Sequence, residues 1–240
     1  MSELLLSVVI PAYNEETSLE KVIREHTLIL ESITKSEDEW EIVCLDDAST
    51  DQTLAILSKL GKEIKRLRVI RHEKNQGIYQ SFVDLFREAH GKYIYQTASD
   101  GQWPAQNLGR MFKALVHHQL DLVIGVRQNR REIYTLWRRF LSFMFNWLPE
   151  VFFGVKTADA NGIKLGRREI FLLDLTSKTF FGEIERILEA SKRGYKIGFE
   201  PIEFLPRSGG KATGAKWKNI FSTLADCLRY TLTHMGKSRI

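Results

Sequence analysis

Three polar clusters, each closing an apolar run, hold the residues best placed to do chemistry: Pro11-Ala12-Tyr13-Asn14-Glu15, Asp46-Asp47-Ala48-Ser49-Thr50-Asp51 and Ser99-Asp100-Gly101-Gln102. Acidic and hydroxyl side chains in such turns either cap the next helix or accept donors from a ligand, and Ser49 and Asp51 carry both readings. Cationic chemistry is gathered elsewhere. Lys and Arg concentrate in Arg127 to Arg139 and again in Arg207 to Lys218, which points to an anionic ligand or surface met by the second half of the chain. No nucleic-acid partner is expected, since no reader motif accompanies these residues. His117-His118 and the four single histidines lack metal-ligand spacing and read as helix or loop residues. Cys44 and Cys227 lie far apart in apolar runs, a usage that suits buried thiols in a reducing compartment.

The elements that must position these residues alternate. Apolar, β-branched runs at Leu4 to Ile10, Glu41 to Leu45, Leu67 to Ile70 and Leu120 to Ile124 read as strands, with Tyr93 to Tyr95 a fifth. Between them, Leu19, Val22, Ile23, His26, Ile29, Leu30 and Ile33 form one helical stripe, and Ile78 to Ala89 and Gln106 to His118 show the same period. Thr17-x-x-Glu20 and Ser49-x-x-Gln52 read as capping boxes, the second opening a helix that bears Leu54, Ile56, Leu57 and Leu60. Alternation of this kind predicts an α/β fold with a mostly parallel, Rossmann-like sheet flanked by helices, whose ligands sit at the carboxyl ends of the strands. All three clusters fall at such ends. Later elements are an aromatic, basic helix around Tyr134 to Trp147, a helix at Gly182 to Lys192, a strand near Tyr195 to Phe199, and a final amphipathic helix after a Gly-rich loop.

A chain of 240 residues with 43% hydrophobic content and no linker or repeat predicts a single domain over 1–240. Its 1–125 half would bind the donor and its 126–240 half the acceptor. The opening MSELLLSVVIPAYNEE lacks a basic leader and is expected to be a strand. No apolar segment approaches the ~20 residues that cross a bilayer; the richest, Ile133 to Phe153, is broken by Arg138, Arg139 and Pro149.

The order and spacing of the three clusters are specific where each alone is weak. SVVIPAYNEE, LDDASTDQT and SDGQWP resemble the family 2 glycosyltransferases of the GT-A fold, with their V-I-P-x-Y-N-E opening, D-D-x-S-x-D-x-T turn and D-x-D-x-Q segment. Lys74-Asn75-Gln76-Gly77 stands at the family's N-x-G, and the likeness runs from about Ser7 to Gly214. Gly125-Val126-Arg127, Arg138-x-x-x-Ser142, Asp159 with Gly162, Arg167-Arg168, Pro201, Pro206-Arg207 and Gly210-Lys211 resemble the branch of dolichol-phosphate mannose synthases and polyprenyl-phosphate glycosyltransferases.

The resemblance implies an inverting transferase that moves a sugar from a UDP- or GDP-sugar to a polyprenyl phosphate. It implies that Pro11, Tyr13 and Glu15 line the nucleotide pocket, that Asp46 or Asp47 bonds the base or ribose, and that Lys74, Gly77, Ala98, Ser99 and Asp100 complete it. Asp100 and Gln102 would hold Mg2+ or Mn2+ on the donor diphosphate; magnesium needs only one or two carboxylates when phosphates complete its shell. Where the family pattern has an Asp two residues before Asp100, this chain has Ala98, which puts metal affinity or leaving-group stabilisation in question.

Asp100, Arg127, Arg138 and Glu185 are the candidate catalytic residues, and Arg127, Arg138, Ser142, Arg207 and Lys211 the candidate hold on the acceptor phosphate. A phosphate monoester is largely ionised at neutral pH, its second pKa being about 6, so it needs no general base. Glu183 or Glu185 could be that base for a sugar hydroxyl, the alternative acceptor; a donor-binding protein impaired by Ala98 is a further alternative. Tyr134, Trp137, Phe140, Leu141, Phe145 and Trp147, with interleaved Arg, and the helix from Trp217 to Leu232 fit either a bilayer surface or packing on the sheet. The expected location is cytoplasmic, peripheral on the inner membrane face.

Overall fold

A computed structural model describes residues 4–128, 147, 150–151, 153–179, 181–206 and 217–234. The first strands form because their sequences are apolar without interruption. β1 (Leu6–Ala12) and β2 (Trp40–Asp46) are buried at all seven positions, as expected of central strands covered on both faces. They are followed by β3 (Leu67–Arg71), β4 (Tyr93–Gln96), β5 (Leu122–Arg127), β6 (Lys164–Arg167) and β7 (Ile197–Ile202). One seven-stranded sheet results, in the order β3-β2-β1-β4-β6-β5-β7. β1 pairs in parallel with β2 and β4, β3 in parallel with β2, and β7 in parallel with β5; β6 alone runs against both neighbours, β4 and β5.

Alternate residues of each strand feed two cores. Val8 and Ile10 face α1 (Leu19–Ile33), α2 (Thr53–Glu63) and α4 (Gln106–His117) through Leu19, Ile23, Leu57, Leu60 and Met111. Val9 and Val43 face α3 (Ile78–Glu88) and α6 (Gly182–Lys192) through Leu85, Phe86, Ile184, Ile187 and Leu188. A short α5 (Arg168–Phe171) follows β6, and α7 (Trp217–His234) packs Tyr230 into the second core. Among the described residues no helix is long and apolar enough to cross a membrane. Both cysteines are free, Cys44 buried and Cys227 half-buried.

Two sequence expectations are corrected. β6 was not foreseen, because Lys164 and Gly166 break the apolar pattern of a strand. Gly166 is needed there: a Cβ would come within 2.7 Å of the Leu122 side chain and 2.8 Å of the Asp121 carbonyl. Neither capping box forms. α1 begins at Leu19 without a side-chain cap, the Ser18 hydroxyl bonding the Ser99 carbonyl instead, and at the start of α2 the Thr53 N–H is accepted by Asp51 Oδ1 at 2.9 Å while Ser49 bonds the Asn14 loop. The helix expected around Tyr134 to Trp147 lies almost wholly outside the described residues.

The α1 stripe carries a titratable group into the first core. His26 is fully buried, with Nδ1 2.8 Å from the Val22 carbonyl, and burial lowers its pKa from 6.5 to about 4 against the opposing pull of that carbonyl. The unfolded chain therefore binds the extra proton between those values, so stability is complete above about pH 6.5 and falls as pH drops toward 4. That difference corresponds to about 3 kcal/mol. Urea midpoints measured from pH 7 to pH 4 are expected to fall on this account, and His26→Leu should remove that part of the slope.

Candidate active site

The three clusters meet at the carboxyl ends of β2, β1 and β4, which are adjacent in the sheet. Their loops are interlocked. The Asn14 N–H donates to Ser49 Oγ at 3.0 Å while Asn14 Oδ1 accepts the Thr50 N–H at 2.8 Å. The Glu15 N–H donates to Thr53 Oγ1 at 2.9 Å, and Glu16 and Asp51 exchange bonds with Gln52 and Glu16 backbone groups. Ser99 Oγ donates to the Pro11 carbonyl, and Ser18 Oγ donates to the Ser99 carbonyl, each at 2.8 Å. Asn14 and Ala48 hold φ of 55° and 59°, left-handed conformations that cost non-glycine residues energy and persist where the surroundings impose them. Tyr13 stands 46% exposed at this edge.

The paired aspartates have separate tasks. Asp47 is buried and saturated: Oδ1 accepts the Gln76 N–H at 2.8 Å and lies 2.7 Å from His72 Nδ1, while Oδ2 accepts the Gly77 N–H at 2.8 Å. The Asn75 side chain adds a 3.3 Å bond to the Asp47 carbonyl. Asp47 thereby shapes the 75–77 turn. Gly77, with φ of 85°, occupies a conformation that side-chain-bearing residues rarely adopt. Asp46 is fully buried, and its Oδ1 accepts the Ser49 N–H at 3.1 Å; Oδ2 has no hydrogen-bond partner, its nearest cation being Arg71 Nε at 3.6 Å. Lys74 is exposed on the same turn.

Asp100, 7% exposed, accepts the Gln102 N–H on Oδ1 at 3.1 Å. Gln102 is tied to the segment after β7: its amide nitrogen donates to the Leu205 carbonyl at 3.1 Å, and its carbonyl accepts the Leu205 N–H at 2.8 Å. The amide oxygen is thus the end suited to a cation. Among the described residues no three His, Cys, Asp or Glu side chains converge as a metal cage. The donor set of one carboxylate and one amide oxygen fits a hard cation whose shell is completed by substrate phosphates, and does not fit one held by protein alone. Ala98 is half-buried beside it.

Three acceptor-side expectations change. Arg127, expected as a free phosphate donor, is paired with buried Asp159 through Nε to Oδ2 at 2.7 Å and Nη2 to Oδ1 at 2.5 Å. It lies over the rings of Trp103 and Phe204, which stack 4.6 Å apart. Glu185, expected as a base, is buried and accepts the Thr176 and Ser177 N–H groups and the Thr176 hydroxyl, all at 2.8 Å. Glu183 faces the sheet instead. Its carboxylate meets the buried Lys164 ammonium at 2.6 Å; burial opposes its charge, but Lys164, Arg186 and Gln96 outweigh that and hold its pKa below the usual range. Lys164 also donates to the Ala160 and Gly162 carbonyls at 2.7 and 3.1 Å. Arg138, Ser142, Arg207 and Lys211 lie outside the described residues.

Sequence reasoning missed Lys164 and His72. A single Lys in a short run and a His in a post-strand turn give no signal without their partners.

Residues 7–172 match the family described as Glycosyl transferase family 2, and the chain belongs to that family. It is 29% identical over 192 residues to a dodecaprenyl-phosphate galacturonate synthase of Rhizobium johnstonii, covering 79% of this chain and 54% of that protein. It is 33% identical over 144 residues to an undecaprenyl-phosphate 4-deoxy-4-formamido-L-arabinose transferase of Salmonella choleraesuis, covering 60% and 42%. The chain spans about half the length of these curated relatives. Among solved structures it resembles Mycobacterium tuberculosis glucosyl-3-phosphoglycerate synthase in complex with Mn2+, UDP and phosphoglyceric acid (TM-score 0.69, 16% identity, covering 98% of this chain and 80% of that one). It also resembles the Pyrobaculum calidifontis mannosyltransferase PcManGT in complex with GDP-Man and Mn2+ (TM-score 0.63, 16% identity, 97% and 70%). At such identities the likeness shows the GT-A fold.

The two aspartates should separate in stability. Asp47→Asn weakens charge-assisted bonds to three donors and is expected to lower stability by about 2 kcal/mol. Asp46→Asn removes a buried, half-satisfied charge and should leave Tm unchanged or raise it. Thermal melts of both variants check this ordering.

Proposed function

We propose that this chain is an inverting glycosyltransferase that moves a sugar from a UDP- or GDP-sugar to a polyprenyl phosphate, with a divalent cation, Mg2+ or Mn2+, on the donor diphosphate. The observation that carries the acceptor is the commitment of both candidate bases. The Glu183 carboxylate is engaged by the Lys164 ammonium, and its lowered pKa makes it a poor proton acceptor, while Glu185 is spent on the 176–177 backbone. A sugar hydroxyl needs a base to take its proton, whereas a phosphate monoester arrives already ionised. The names of both relatives, one a dodecaprenyl- and one an undecaprenyl-phosphate sugar transferase, support the same acceptor.

On this reading, Asp46 Oδ2 is the atom that accepts an N–H or O–H from the nucleoside, because it is buried at a strand end and lacks a hydrogen-bond partner. Asp47 acts at one remove, by holding the 75–77 turn. Lys74 and Tyr13 stand at the rim of the same pocket, and Pro11, Glu15 and Ser99 form its floor through the bonds that join the loops. Asp100 and the Gln102 amide oxygen would hold the cation, which when bound supplies Lewis-acid stabilisation of the departing diphosphate. Arg138, Ser142, Arg207 and Lys211 are assigned to the lipid phosphate, and peripheral attachment at the inner membrane face follows from an acceptor that resides in a bilayer.

Incubation with radiolabelled UDP- and GDP-sugars, Mn2+ and a polyprenyl phosphate is expected to place label in the organic phase. Label in a water-soluble glycan would favour a saccharide acceptor instead, and binding without transfer would mark a donor-binding protein. Ala98→Asp should raise metal-dependent transfer, since a second carboxylate tightens the cation and orients the diphosphate. A metal titration of both forms separates the two effects: an affinity gain disappears at saturation, while a better-oriented leaving group keeps turnover higher throughout. Equal rates across the titration would show that Asp100 with Gln102 suffices.

A further inference from the structure

We infer that His72 is a positioning residue of the donor pocket: clamped between Asp47 and Asp84, it fixes the carboxylate that shapes the 75–77 turn. The functional consequence rests on the donor reading above, while the clamp is a property of the free protein.

His72 directly follows β3, and its N–H donates to the Asp46 carbonyl at 2.9 Å, continuing the pairing with β2. Its ring is buried. Nδ1 lies 2.7 Å from Asp47 Oδ1, and Nε2 lies 3.2 Å from Asp84 Oδ2 in the second turn of α3. Asp84 is itself steadied from its own helix, by Gln80 Nε2 at 2.9 Å and by Arg87 at 3.5 Å. The contacts close a ring. Asp47 holds the Gln76 and Gly77 amides, Gly77 opens α3, and α3 returns through Asp84 and His72 to Asp47.

Such a ring does what two backbone bonds cannot do alone. The Gln76 and Gly77 amides fix the distance of the turn from Asp47 but leave the carboxylate able to swing about its own side-chain torsions. The imidazole restrains that swing with a third contact, because each ring nitrogen is aimed at an oxygen anchored on a different element. A pre-formed turn spares the donor the ordering penalty on binding. His72 is thus expected to act on donor affinity without touching the donor.

The two ring nitrogens can be tested one at a time. Asn at this position places an N–H near that of Nδ1 and keeps the Asp47 contact; Gln reaches toward Asp84 and loses it; Ala loses both. Amide hydrogen exchange at Gln76 and Gly77 reads the clamp directly, and calorimetric titration with UDP and with GDP, each with Mn2+, reads its consequence. For His72→Ala and His72→Gln, exchange at the two amides is expected to rise roughly tenfold, with nucleotide affinity weakened about tenfold, the scale of a lost charge-assisted bond. His72→Asn, which keeps the Asp47 contact and loses the Asp84 one, should fall between His72→Ala and the parent in both. If His72→Ala leaves the two amides protected, or if His72→Asn is no better than His72→Ala, the clamp is overturned. Faster exchange spread evenly over the whole sheet overturns it too, since that is mere loss of packing. Should the parent protein bind neither nucleotide while the exchange pattern holds, the clamp stands and the donor reading falls.

Discussion

Burying the Lys164 ammonium at the centre of a seven-stranded sheet is the constraint on which the rest of the site depends. An amine taken out of water loses several kcal/mol of hydration and must find acceptors on every side. Lys164 finds three: the Ala160 and Gly162 carbonyls and the Glu183 carboxylate. These belong to the loop before β6 and to the first turn of α6, so one charge ties the strand between β4 and β5 to the helix layer beneath. The same loop carries Asp159, which turns Arg127 at the end of β5, and Glu183 in turn touches Gln96 at the end of β4. Removing the amine would leave a buried carboxylate without its counter-charge, a far larger loss than the pair's net contribution.

A second consequence concerns how the polar loops are kept in place. Turns at strand ends usually satisfy their own helices, yet here Asn14, Ser18, Ser49, Thr53 and Ser99 reach to neighbouring loops. Bonds between loops couple the loops' positions, so the aspartates of the second loop are held relative to Asp100 and Gln102 of the third by way of the first. The left-handed φ of Asn14 and Ala48 is tolerable under that coupling, since neither residue could relax without breaking bonds made by the other loop. On the proposed reading such pre-organisation suits a flexible diphosphate ligand, because the ordering is done during folding.

Much of this was legible beforehand, and the limits have physical causes. Strands β1 and β2 announce themselves because burial on both faces demands apolar runs, and the three clusters follow from the rule that α/β sheets bind ligands at their carboxyl ends. β6 is hidden because its Lys and Gly are stabilised by partners distant in sequence. Glu183 and Glu185 differ by two residues, about 200° around a helix, so only one can face the sheet's end; the sequence does not say which. Ser49 misled for a related reason: a hydroxyl near a helix start has a local partner and a tertiary one, and here it accepts the Asn14 N–H of the neighbouring loop.

The pairing of Arg127 also redistributes the work of binding an anion. A guanidinium bound through two nitrogens to a buried carboxylate presents little net field to a phosphate nearby, and it also lies against the adjoining rings of Trp103 and Phe204. Its place is then architectural: it joins the end of β5, the Asp159 loop and the segment after β7 into one wall. On the proposed reading, the charge that attracts an acceptor phosphate is assigned to cations that follow it in sequence, Arg138 and the Arg207 to Lys211 stretch, where Lys and Arg are dense. Both stretches lie outside the described residues, and on the proposed reading they recognise the acceptor by charge while the interlocked loops keep the donor site in place.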